Sequence, residues 1–126
     1  PVVACLVIHE EHAVLARNHN WPPGMFSVIS GFLEYQEEPI ECARRETFEE
    51  LNLTATSIEW IDSMIFKELN QVILGYVVYG EGSIKCSEEL IELKRIPLHN
   101  LKSWDFGTGY LVKRFLEQRG VEKPNR

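Results

Sequence analysis

Residues Val2 to Ile8, VVACLVI, offer an apolar side chain at every position, with none of the alternation that lets one face of a strand meet water. Such a run suits a strand buried on both faces, as happens when helices lie above and below a sheet. A chain built around it needs two covering layers, and helices over a mixed sheet would supply them as an α/β sandwich.

The remaining runs fill in that sandwich. HEEH at 9–12 breaks the first strand, and Ala13 to Ala16 resumes an apolar pattern as its hairpin partner. NHNWPPGM at 18–25 is rich in turn formers and reads as a loop, followed by a short strand from Met25 to Ile29 that ends at Ser30 and Gly31. Ile58 to Phe66 and Val72 to Tyr79, separated by KELN, read as an antiparallel pair, and Glu92 to Ile96 as a short strand closed by Pro97. Tyr110, Leu111, Phe115 and Leu116 fall at helical spacing, with Thr108 able to cap the start and Gly120 to stop the end. No repeat, low-complexity tract or linker precedes the polar tail EKPNR, and 126 residues is close to the commonest domain size, so residues 1–126 are expected to form one domain.

The first helix comes from GFLEYQEEPIECARRETFEELNL, Gly31 to Leu53. Pro39 fits a first turn, and Glu37 and Glu38 lie where the positive end of the helix dipole favours acids. At 100° per residue, Ile40, Ala43, Thr47 and Leu51 cluster on the side expected to pack, opposite Cys42, Glu46, Glu49 and Glu50. Asn52 tolerates the left-handed conformation of a helix end, and Leu53 then turns back to the core.

Like charges this close on a helix repel. Arg45, four residues before Glu49 and eight after Glu37, neutralises one or two of the acids and leaves charge that calls for a divalent ion. Hard cations such as Mg²⁺ take oxygen ligands, keep several waters and bind through a few carboxylates plus substrate phosphates. A solvated acidic face is the plain alternative for an isolated E-x-x-E-E.

The rest of the pattern decides between them. Gly31, Glu37, Arg45-Glu46-x-x-Glu49-Glu50 and Leu53 resemble the Nudix box, G-x5-E-x7-R-E-U-x-E-E-x-G-U with U aliphatic, and every charged position is filled at the right spacing. Two positions depart from it: Thr47 replaces an aliphatic residue, and Asn52 replaces the final glycine. The resemblance implies a Nudix-like α/β/α sandwich with a mixed sheet. It also implies that Glu46, Glu49 and Glu50, with the main-chain carbonyl of Gly31, bind Mg²⁺ or Mn²⁺, and that Glu37 and Arg45 orient the loop against the helix. The implied reaction is hydrolysis of a pyrophosphate bond in a nucleoside diphosphate linked to another group: a nucleotide sugar, ADP-ribose, a dinucleotide or a nucleoside triphosphate. Family members place the general base either on the helix or on a later loop. Glu46 is the helix candidate; CSEELIEL at 86–93 resembles the acidic loop and makes Glu89 the other, ahead of Glu88 and Glu92.

For the substrate, MFSVISGFLE resembles the NADH pyrophosphatase branch, where a phenylalanine, here Phe32, also follows the glycine. The Ser-Gln-Pro-Trp-Pro-Phe-Pro stretch of that branch is absent, so an NADH assignment does not follow from sequence. Trp21, Trp60, Trp104 and Phe106 are candidates for stacking on a base. Trp21 leads, because its Pro-Pro-Gly loop precedes the strand that delivers Gly31. His9, His12, His19 and His99 lack metal spacing and are expected at the surface.

A net charge of −6 argues against broad nucleic-acid binding, which comes mostly from Lys and Arg on phosphates. The odd number of widely spaced cysteines, Cys5, Cys42 and Cys86, reads as a reducing compartment. With no run long enough to span a bilayer and no signal-peptide pattern, the expected setting is cytoplasmic. Dimerisation is common in the resembled family, and an exposed edge of a small sheet can mediate a homodimer. Two competing readings are a Nudix-fold nucleotide-binding or sensor module without turnover, and a purely structural domain whose acidic face meets solvent or a basic partner.

Overall fold

The computed structural model describes residues 1–120, and the tail EKPNR lies outside the described residues. Six strands and two α-helices follow in the order β1 (Val2–His9), β2 (His12–Asn18), β3 (Ile29–Phe32), α1 (Pro39–Leu51), β4 (Thr54–Phe66), β5 (Gln71–Glu81), β6 (Leu90–Pro97) and α2 (Gly109–Gln118). The strands form one mixed sheet in the order β4-β5-β1-β2-β6. β1 runs parallel to β5. On its other edge it pairs antiparallel with β3 through Val2 to Cys5 and with β2 through Val7 to His9.

The two-faced burial expected of VVACLVI is what organises the molecule. Ala4, Leu6 and Ile8 pack into a core with Ile61, Val77 and the α2 residues Leu111, Val112, Phe115 and Leu116. Val3, Cys5 and Val7 pack into a second core with Val14, Val78, Leu53 and the α1 residues Cys42, Ala43 and Leu51. Consecutive side chains of a strand point to opposite faces, so one strand serves both layers. Fully buried leucines such as Leu6, Leu51 and Leu111 each contribute roughly 1.5–3 kcal/mol through burial.

Helix α1 starts at Pro39, and Asn52 ends it in the left-handed conformation, its N–H donating to the Phe48 carbonyl at 2.8 Å. At the other end of the chain, Gly120 follows α2 with φ +74°.

The structure corrects four local expectations. The short strand is Ile29–Phe32, not Met25–Ile29: the Met25 N–H closes a turn onto Pro22, and only Ser27 pairs with Ala16 before the chain reaches β1 at Ile29. Thr108 does not cap α2 with its side chain; its Oγ1 is hydrogen-bonded to Ser27 Oγ at 2.6 Å. His9 is buried, because β1 keeps both faces covered to its last residue, and its Nε2 lies 2.7 Å from the Gly82 carbonyl oxygen. The buried arc of α1 also differs, since Cys42 and Glu46 are buried while Ile40 is exposed. β3 runs alongside the helix and covers the flank that carries Cys42 and Glu46, which an isolated helical wheel does not represent.

Candidate catalytic site

Burial of Glu46 follows from the residue opposite it. A Cβ built on Gly31 would fall 2.1 Å from the Glu46 carboxyl carbon, so only glycine lets the carboxyl lie against β3 there. Burial raises the pKa of Glu46, and the neighbouring Arg45 charge acts in the opposite direction.

Arg45 is the hub. Its Nε and Nη2 donate to both oxygens of Glu37 at 2.7 and 2.9 Å, its Nη1 to Glu46 at 2.9 Å and Glu49 at 3.2 Å, and its Nη2 to the Phe32 carbonyl at 3.1 Å. The planar guanidinium suits this, offering a rigid fork of donors to several acceptors at once. Glu37 also accepts the Glu34 N–H at 3.0 Å, which closes the turn before the helix. The Arg45 bonds, followed by that backbone bond, hold the Glu37 pKa down to about 2. Arg45 is shifted upward in turn, chiefly by Glu37. One cation among three carboxylates leaves excess negative charge.

Glu50 is held separately. Ser87 donates its hydroxyl to Glu50 Oε2 at 2.5 Å and its backbone N–H to the Glu50 carbonyl at 2.9 Å. The Lys85 N–H reaches the Leu51 carbonyl at 2.9 Å, so the segment before β6 satisfies carbonyls that the helix end would leave unpaired. Sequence reasoning missed Ser87, whose only signal was its place in the acidic CSEELIEL. Cys42, buried beside Arg45, has its thiol pushed up to about 11 by burial, which keeps it protonated at neutral pH.

Glu89 is exposed and borders a hollow of about 50 Å³ shared with Glu50, Trp21 and Ser30. Glu92 is turned away into an ion pair with Arg17, and Glu88 contributes its carbonyl to His19 Nε2 at 2.8 Å. Among the described residues, no three His, Cys, Asp or Glu side chains converge as a ready-made metal site.

Trp21 and Ser30 also line a much larger cleft, of about 880 Å³, on the α2 side of the sheet. Its aromatic walls are Trp21, Phe26, Phe66, Trp104 and Phe106. Trp60 lies outside it, half-exposed and edge-on to Tyr76 at 5.4 Å. Phe32 is exposed beside Gly31 and lines neither hollow.

A family model described as NUDIX domain matches residues 1–115. The chain belongs to the Nudix hydrolase family. As a Nudix chain it is 36% identical, over 64% of its length, to a protein of Mycobacterium tuberculosis named NAD-capped RNA hydrolase NudC. The matched segment is 26% of that relative, so the chain spans about a quarter of its length. The fold matches the crystal structure of a NUDIX hydrolase from Nitrosomonas europaea with TM-score 0.79 at 22% identity, covering 98% of this chain and 73% of that one. It also matches the NUDIX domain of Shewanella oneidensis NrtR complexed with ADP ribose, with TM-score 0.63 at 15% identity, covering 77% and 71%. No helix among the described residues of this Nudix chain is long and apolar enough to cross a membrane.

Proposed function

We propose that this chain is a metal-dependent pyrophosphohydrolase that cleaves a nucleoside diphosphate linked to another group, and that residues 1–126 form a single Nudix domain. The observation that carries this reading is the carboxyl of Glu46 packed against Gly31 and tied, with Glu49 and Glu37, to one arginine.

The residues fit a divalent ion by their chemistry. The donors are all hard oxygens, and Mg²⁺ takes only one or two protein carboxylates and fills the rest with water and phosphate, so a converged three-acid cage is not required. Glu46, Glu49, Glu50 and the Gly31 carbonyl would hold Mg²⁺ or Mn²⁺. When bound, the ion neutralises pyrophosphate oxygens and makes water a better nucleophile at neutral pH. The chain's own part is positional: Glu37 fixes Arg45, Arg45 aims Glu46 and Glu49, and Ser87 aims Glu50. Glu46 or Glu89 takes the proton of the attacking water. Trp21, bordering both hollows, and Phe32, next to Gly31, contact the substrate.

Among substrates, dinucleotides of the NAD type come first, supported by the name of the mycobacterial relative and by Phe32 after Gly31. That name also brings the capped 5′ end of an RNA into consideration, even though net charge argues against broad nucleic-acid binding. Cysteines that form no disulfide accord with a cytoplasmic setting.

The test is phosphate release with Mg²⁺ and with Mn²⁺ from dinucleotides, ADP-ribose, nucleotide sugars, nucleoside triphosphates and NAD-capped RNA, adding a phosphatase and running Glu49→Gln in parallel. Turnover that disappears in the variant is the expected result; silence across the whole panel would refute the proposal. A second reading, a nucleotide-binding or sensor module, draws on the ADP-ribose complex of the NrtR domain and on Arg45 already occupying Glu46 and Glu49. Nucleotide binding without turnover would favour it.

A further inference from the structure

The large cleft has an unusual charge lining. Among the described residues no acid lines the cleft, and its only charged lining residues are Lys94 and Lys102. Lys94 is on β6 and stands over the Phe26 ring, its Nζ 4.7 Å from the centroid. Lys102 lies on the segment 102–108, which also brings Trp104 and Phe106 to the cleft and is tied across it by the Thr108–Ser27 hydrogen bond. Both lysines are exposed, and among the described residues neither forms an ion pair. Arg17, Arg44, Arg45, Arg95 and Arg114 are all paired with acids.

In a chain of net charge −6, two cations on an aromatic cleft with no acid in its described lining favour an anion there. The aromatic walls suit a planar ring, whereas the ammonium groups suit an anion beyond that ring. The pyrophosphate is assigned to the carboxylates at the smaller hollow, which adjoins the cleft at Trp21 and Ser30 and which neither lysine lines, so it does not account for the lysines. We propose that the cleft selects a nucleoside bearing a further phosphate on its ribose, in addition to the pyrophosphate link. This rests on reading the cleft as the nucleoside site of the proposed reaction. The same chemistry is available from a small molecule with a ribose phosphomonoester and from the first 3′-phosphodiester of an RNA.

The test measures binding to the chain without metal, by calorimetry, using AMP, 2′,5′-ADP, 3′,5′-ADP and the dinucleotide pApA. None of these contains a pyrophosphate bond, so the result is independent of turnover. At least one ribose-phosphorylated ligand is expected to bind about tenfold tighter than AMP, a gain that falls with added salt. The double variant Lys94→Gln/Lys102→Gln should remove the gain, so that the ribose-phosphorylated ligands bind no tighter than AMP. A gain confined to the monoesters identifies a small-molecule source, and a gain shared by pApA identifies a polynucleotide. Equal affinity for all four ligands, a gain that survives in the double variant, or no binding of any of them would overturn the proposal. Hydrolysis of the substrate panel would be unaffected by any of these outcomes, so the two readings fail separately.

Discussion

Glu46 lies so close over Gly31 that a methyl group on that glycine would sit 2.2 Å from its Oε1 atom. Gly31→Ala therefore cannot keep this carboxyl in place. We expect a loss of about 1–3 kcal/mol in stability from overpacking. Activity should fall further, by about a hundredfold, because the displaced group belongs to the proposed chemistry. Thermal melts and turnover measured on the same preparation will separate the two effects, and unchanged turnover would remove Glu46 from the mechanism.

Arg45→Lys keeps the charge and loses the fork. One ammonium cannot span Glu37, Glu46, Glu49 and the Phe32 carbonyl as the guanidinium does. We expect kcat/KM to fall by at least about tenfold, with a smaller change in stability. Equal kinetics for the two proteins would show that charge alone suffices.

Glu37 gives a pH signature. Its folded pKa, about 2, lies below its ordinary 4.5, and the cause is first the Arg45 hydrogen bonds and then the Glu34 N–H. A depressed carboxylate pKa stabilises the fold above the unfolded value, and that contribution is lost as pH falls toward the folded one. Glu37→Gln should therefore be less stable than the parent at neutral pH, with the gap narrowing as pH falls from 4.5 toward 2. Urea midpoints across that range test this; a gap independent of pH would mean the side chain acts by shape alone.

Ser87→Ala removes the hydroxyl that holds Glu50 Oε2. Partners that orient ligands commonly change metal affinity by about tenfold or more. Mn²⁺ affinity, read by electron paramagnetic resonance, should weaken to that degree while the far-ultraviolet spectrum stays unchanged. Unaltered Mn²⁺ binding would separate Glu50 from the ion.

Thr47 is fully buried at a position that is usually aliphatic in the family box, and its hydroxyl donates to the Ala43 carbonyl at 2.8 Å. Back-bonding of this kind adds little to helix stability. Thr47→Val, nearly the same shape, should alter stability by less than about 1 kcal/mol and leave turnover unchanged. A larger loss would show that the hydroxyl is needed where it stands.

Much of this architecture was readable in advance because it is local. Seven consecutive apolar residues from Val2 to Ile8 demand two covering layers, and the spacing from Gly31 to Leu53 fixes which carboxylates share a helix. Asn52 could be assigned its left-handed turn from backbone preference alone. Features that depend on tertiary neighbours were not legible. The helical wheel set Glu46 on the outer face because nothing in the sequence announces that β3 lies alongside. Ser87 meets Glu50 across 37 residues, and Ser27 meets Thr108 across 81, so the second anchor of the acids and the walls of the cleft appear only after folding.

β1 gives alternate side chains to opposite halves of the molecule: Val3, Cys5 and Val7 to the layer under the carboxylates, Ala4, Leu6 and Ile8 to the layer beside the cleft. It therefore acts as a party wall. The two rooms meet at a doorway bordered by Trp21 and Ser30, which line both hollows. A lineage built on such a plan is free to change what it recognises on one side while inheriting its reaction intact on the other.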